Sequence, residues 1–142
     1  MNVSSKRKSA LKSPDQITRT GECIALSRLK FQTRQGPAYV FVAVDAFSGY
    51  GYNLGAEMSD DPALTIRFIY ELTEHEHFLE HFDAAEGFTL VLEEFEDQAE
   101  RIRKVISGLK GELVFNRALN NVIMQPLLMS IAQQMKSGEL DA

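Results

Sequence analysis

Three histidines fall within seven residues, His75-Glu76-His77-Phe78-Leu79-Glu80-His81, and the chain has no others. On a helix His77 and His81 stand at i and i+4 on one face, a spacing that zinc ligands use. The general-base glutamate of the zinc-protease motif follows its first histidine directly. Here Phe78 holds that place and no third ligand is evident, so the segment reads as a solvated, mixed-charge helix end. Glu93-Glu94-Phe95-Glu96-Asp97 offers paired carboxylates, but acidic side chains at the start of a helix are favoured by its dipole alone. Cys23, the single cysteine, lies in the apolar run Cys23-Ile24-Ala25-Leu26; it reads as a packed thiol and excludes an internal disulfide framework. Asp45, followed by Phe47-Ser48-Gly49, reads as a strand-end carboxylate that accepts backbone N–H groups in a turn. A Gly-rich phosphate loop, a Gly-x-Ser-x-Gly elbow, a Cys-x-x-Cys pair and a dinucleotide fingerprint are all absent. Catalysis has little support in these residues.

The elements that must position them begin with a first strand over 21–32, in which Cys23, Ala25 and Ser27 oppose Ile24, Leu26 and Arg28. A turn at Thr33-Arg34-Gln35-Gly36-Pro37 leads into Ala38-Tyr39-Val40-Phe41-Val42-Ala43-Val44, an unalternated apolar run that predicts a strand buried on both faces. An edge strand over 52–58 follows. Asp61-Pro62 is a helix-start signal, and Leu64, Phe68, Ile69, Leu72, Leu79 and Phe82 form one stripe that predicts a single helix ended by Gly87. Phe88–Leu92 is a fourth strand, Ala99, Ile102, Ile106 and Leu109 mark a second helix, and Leu113–Phe115 a fifth strand. A last helix runs from about Asn121 to Met135, opened or kinked by Pro126. The expected order is βββαβαβα.

That order, together with the strand ending Val44-Asp45-Ala46-Phe47-Ser48-Gly49-Tyr50, resembles the retroviral integrase and transposase catalytic core. The resemblance covers roughly residues 21–135 and implies a ribonuclease H-like fold, α/β, with a mixed five-stranded sheet and helices on both faces. It also implies a site in which three carboxylates hold two Mg²⁺ ions, hard cations that need charged oxygen ligands. The positions that match those carboxylates are Ser27, Glu93 and Met124, or Gln125 if the register of the last helix slips by one. Only Glu93 is an anion. The resemblance therefore implies the scaffold without a working site, with no metal and no catalytic residue.

Hydrophobic residues at 44% and charged ones at 25% of 142 residues are ordinary for one globular domain. The net charge of −5 is unevenly spread: residues 1–36 hold eight of the fifteen basic residues and two of the twenty acidic ones, +6, which leaves −11 for the rest. Residues 1–16 are expected to be a flexible basic arm, 17–136 the core-like domain and 137–142 a frayed tail. The arm could meet DNA phosphates through Lys6, Arg7, Lys8 and Lys12. The first reading is thus a catalytically inactive, nucleic-acid-associated or assembly module. The second is an acidic protein-interaction module, a homodimer or partner-binding subunit, suggested by the wide apolar surface of Met124, Leu127, Leu128, Met129, Ile131, Ala132 and Met135. No apolar run reaches the roughly 20 residues of a membrane span. The N-terminal residues lack a signal peptide's apolar core, so a cytoplasmic location is the default expectation.

Overall fold

The computed structural model describes residues 16–93 and 98–136. The basic arm up to residue 15, including Lys6, Arg7, Lys8 and Lys12, lies outside the described residues, as do positions 94–97 of the acidic cluster, the tail from 137 and the side chain of Met135. Five strands form one sheet: β1 (Cys23–Thr33), β2 (Gly36–Asp45), β3 (Gly51–Glu57), β4 (Phe88–Leu92) and β5 (Gly111–Phe115). The helices are α1 (Leu64–Thr73), α2 (Glu76–His81), α3 (Ala99–Gly108) and α4 (Arg117–Lys136). Strand order is β3-β2-β1-β4-β5. The β1–β2 and β2–β3 pairs are antiparallel, and β4 runs parallel to both β1 and β5. The sheet is therefore mixed, within an α/β architecture.

Alternation along β1 sorts the core into two layers. Ile24 and Leu26 join Phe41, Ala43, Leu90 and Leu92 under α1, α2 and α3, whose Phe68, Phe78 and Ile102 fill that side. Cys23 and Ala25 join Val42, Val44 and Val91 on the other side, under Leu119, Ile123 and Met124 of α4. Helices cover both faces, which is why the last five residues of β2, Phe41–Asp45, are buried without a break. Burial pushes the Cys23 thiol up to about 12, as suits a packed, unreactive side chain.

Three helix expectations need correction. The single helix over 61–87 is two, because His75 adopts an extended backbone and its ring nitrogen accepts the His77 N–H at 3.2 Å, capping a new helix. The reset sends Phe78 into the core and leaves Leu79, counted in the apolar stripe, 60% exposed. Asp61 accepts the Ala63 N–H at 3.0 Å, so it sets up the turn before α1 and is not its N-cap. Finally, α4 starts at Arg117, ahead of Asn121, because Asn116 accepts the Leu119 N–H at 3.0 Å. Pro126 lies inside this helix on its exposed side, where the carbonyl it cannot bond belongs to the exposed Val122. Among the described residues no helix is long and apolar enough to cross a membrane.

Candidate functional site

β1 and β4 pair only from Cys23–Thr89 to Ala25–Val91 and then part. At that fork α4 inserts Asn120, a fully buried side chain. Its amide nitrogen donates to the carbonyls of Leu26 at 3.1 Å and Val91 at 3.0 Å, one on each strand. Its amide oxygen accepts the Ser27 hydroxyl at 2.8 Å. One side chain thus uses both its donors and its acceptor, and closes the sheet where the ladder stops.

The fork brings Ser27 of β1, the end of β4 and the first turns of α4 together. Ser27 is buried and points at Asn120; Glu93 follows directly on β4 and is half-buried; Met124, one turn beyond Asn120, is buried in the apolar layer with Val42 and Val44, while Gln125 is exposed. Neither Met124 nor Gln125 is the residue bonded to Ser27. Asn120 is, and its one local signal in the sequence is an amide one turn before Ile123 and Met124 on an otherwise apolar face.

These groups do not fit a Mg²⁺ pair. A hard cation needs anionic oxygens in octahedral array. Here a hydroxyl is committed as a donor, an amide presents its positive hydrogen ends, a thioether is turned into the core, and among the described residues at the fork Glu93 is the one carboxylate. Among the described residues no group of three or more His, Cys, Asp or Glu side chains could hold a metal ion.

A second constellation lies at the C-terminal end of β2. Asp45 is fully buried; one carboxylate oxygen accepts Phe47 N–H at 2.9 Å and Ser48 N–H at 3.0 Å, the other accepts Gly21 N–H at 2.7 Å. Its role as a turn-holding residue is as expected, with Gly21 added. The histidines are not simply solvated, which corrects the expectation of a mixed-charge helix end. His77 stacks on Tyr50 with ring centroids 3.6 Å apart, and its Nδ1 is 2.7 Å from the Tyr52 hydroxyl. His81 Nδ1 sits 3.0 Å from the His77 carbonyl oxygen, and among the described residues no third His, Cys, Asp or Glu joins these two rings in a group that could hold a metal ion. Burial, with the neighbouring His81, lowers the pKa of His77, while Asp45 and Glu80 oppose that shift and His75 adds to it. A histidine whose folded pKa lies below its unfolded value takes up its proton preferentially in the unfolded state as pH falls. Stability should therefore be complete above about pH 6.5 and decline below it. Urea midpoints between pH 7.5 and 5.5 should fall for the native chain and fall less for His77→Gln. Equal slopes would show that His77 is not the group responsible.

No family model matches the chain, and no curated protein matches it. Among solved structures it is similar to a chain of the simian T-cell lymphotropic virus intasome in complex with PP2A regulatory subunit B56 gamma, seen by cryoEM. The TM-score is 0.62 at 11% identity, over 89% of this chain and 46% of that one. This chain thus spans about half the length of the one it matches. At that identity the likeness is one of fold alone.

Proposed function

We propose that this chain is a catalytically inactive, integrase-core-like domain of ribonuclease H-like fold that serves as a nucleic-acid-associated or assembly module. The observation that carries the reading is the fork: Asn120 and Ser27 bond each other where β1, β4 and α4 meet, the place at which the integrase and transposase resemblance implies carboxylates. The strand order and the likeness to an intasome chain support the scaffold half of the reading. The chemistry of the fork supports the inactive half. Calorimetric titration with Mn²⁺ should give no tight binding, and a supercoiled plasmid should stay intact with either Mn²⁺ or Mg²⁺. Metal-dependent nicking that Glu93→Ala abolishes would overturn the assignment of inactivity. The nucleic-acid half is tested separately, by binding of the full chain to a short duplex at low salt, which should weaken steeply as salt rises.

One observation favours the second reading, a protein-interaction module. From Ala118 to Met135 α4 carries no charge, although it borders solvent, with Val122 53% and Met129 64% exposed. Interface centres are depleted of charge and enriched in Met. A dimer in light scattering, broken by Met129→Lys, would support it over DNA binding.

A further inference from the structure

The chain is acidic overall, yet no Asp or Glu occurs between Glu22 and Asp45, while Arg28, Lys30 and Arg34 all do. The structure gathers this segment into one hairpin. β1 leaves β4 after Ala25, and the β2–β3 ladder ends at Tyr39–Glu57, so the pairs Phe31–Ala38, Gln32–Pro37 and Thr33–Gly36 form a two-stranded ribbon beyond the five-stranded body. Exposure changes there too: Cys23–Ser27 is continuously buried, whereas Arg28, Lys30, Gln32, Arg34 and Gln35 are exposed.

Side-chain hydrogen bonds close the ribbon's turn. Arg34 and Gln35 make its loop, the positive φ of +115° falls on Gly36, and the Thr33 hydroxyl donates to the Gly36 carbonyl at 2.6 Å while accepting the Gln35 N–H at 3.2 Å. At its base, Arg28 lies 5.1 Å from the Tyr39 ring centroid and donates to the Asp60 carbonyl at 3.1 Å, so it is committed to the protein. Lys30, at the ribbon's base opposite Tyr39, and Arg34, in its loop, are different. Neither has a hydrogen-bond or ion-pair partner among the described residues.

We infer that the β1–β2 ribbon is a nucleic-acid-binding surface, in which Lys30 and Arg34 meet the phosphates of a duplex. This rests on the nucleic-acid reading given above and moves its main contact from the arm to the hairpin. Three features select this partner. A two-stranded antiparallel ribbon fits the major groove of B-DNA. Unpaired Lys and Arg side chains release counterions from phosphates. The ribbon also extends beyond the five-stranded ladder, with Glu57 and Asp60 at its base, so a polyanion would dock toward its tip. Exposed strand edges are often guarded by lysine against self-pairing, but either sign of charge would serve that purpose. Here only one sign is used.

The experiment measures anisotropy of a labelled, random-sequence duplex with the full chain as salt is raised. Lys30→Gln/Arg34→Gln should reduce the log–log salt slope by about 2, and Lys30→Glu/Arg34→Glu should weaken binding roughly tenfold or more at low salt. Both positions are exposed and have no partner among the described residues, so an unchanged circular dichroism melt serves as the folding control. The neutral pair provides a second variant should charge reversal disturb the ribbon. A native chain that binds no duplex at low salt would overturn both this inference and the nucleic-acid reading. Binding that both double variants retain, but that is lost on neutralising Lys6, Arg7, Lys8 and Lys12, would overturn the inference and leave the reading standing. Unchanged DNA binding with loss of a dimer would assign the ribbon to an acidic protein surface instead.

Discussion

Replacing Asn120 by leucine is expected to lower the melting temperature by about 10 °C, from a loss of about 3 kcal/mol. Leucine matches the amide in bulk but cannot donate, so the Leu26 and Val91 carbonyls lose their partner in a site closed to water. The penalty falls on the groups left behind more than on the bonds removed. Asn120→Asp should cost more still, because a carboxylate would set negative oxygens against the same two carbonyls. Ser27→Ala removes a single donor and should cost about 1 kcal/mol. Since Ser27 and Asn120 bond each other, the double variant Ser27→Ala/Asn120→Leu should lose less than the two single losses combined. An Asn120→Leu protein that melts with the native chain would mean that the fork closes without the amide, and would remove the main physical argument against a metal there.

The contrast between Asn120 and the strands explains what could be read from the amino acids alone. The run from Ala38 to Val44 names a doubly covered strand because burial on both faces removes alternation; β2 lies where expected and is buried from Phe41 on, while Ala38, Tyr39 and Val40, toward the ribbon, are only half-buried. Cys23, Ala25 and Ser27 against Ile24 and Leu26 is a period-2 signal, and the two core layers divide along it. Such signals are local. Asn120 bonds Ser27 and Leu26, more than ninety residues away, and Val91, twenty-nine away, so no window of sequence contains its partners. The break at His75 was hidden for another reason. Leu72, Leu79 and Phe82 continue a helical spacing across it, and only the side-chain cap on His77 N–H reveals that the phase is reset. Tyr50 and Tyr52 reach His77 from the turn and strand that follow β2, which is why a segment that reads as solvated is packed against rings.

Asp45 lies between these cases, half local and half remote, and its removal should have the largest effect at the β2 end of the molecule. Its bonds to Phe47 and Ser48 follow from the sequence, while the bond to Gly21 joins the segment before β1 to the turn after β2. The approach is tight: Gly21 holds a positive φ of +87°, and a Cβ there would lie 2.6 Å from the His81 carbonyl oxygen, so no other residue can replace the glycine without moving α2. Asp45→Ala should destabilise by about 3–5 kcal/mol, because three N–H groups lose a charged acceptor and Gly21, being buried, cannot turn to water. Asp45→Asn separates the local from the remote contribution. The amide oxygen can keep Phe47 and Ser48, but its NH₂ then faces the Gly21 N–H, donor against donor, and a loss of about 2 kcal/mol is expected. The same substitution removes a charge that helps raise the Tyr52 pKa, after burial, and that opposes the lowering at His77. The decline in stability below about pH 6.5 should therefore be steeper in Asp45→Asn than in the native chain. Amide exchange at Gly21 should speed up in both variants, and at Phe47 and Ser48 in Asp45→Ala alone. Uniform acceleration at all three amides in Asp45→Asn would show that the carboxylate acts as a single charge, with no division between its two oxygens.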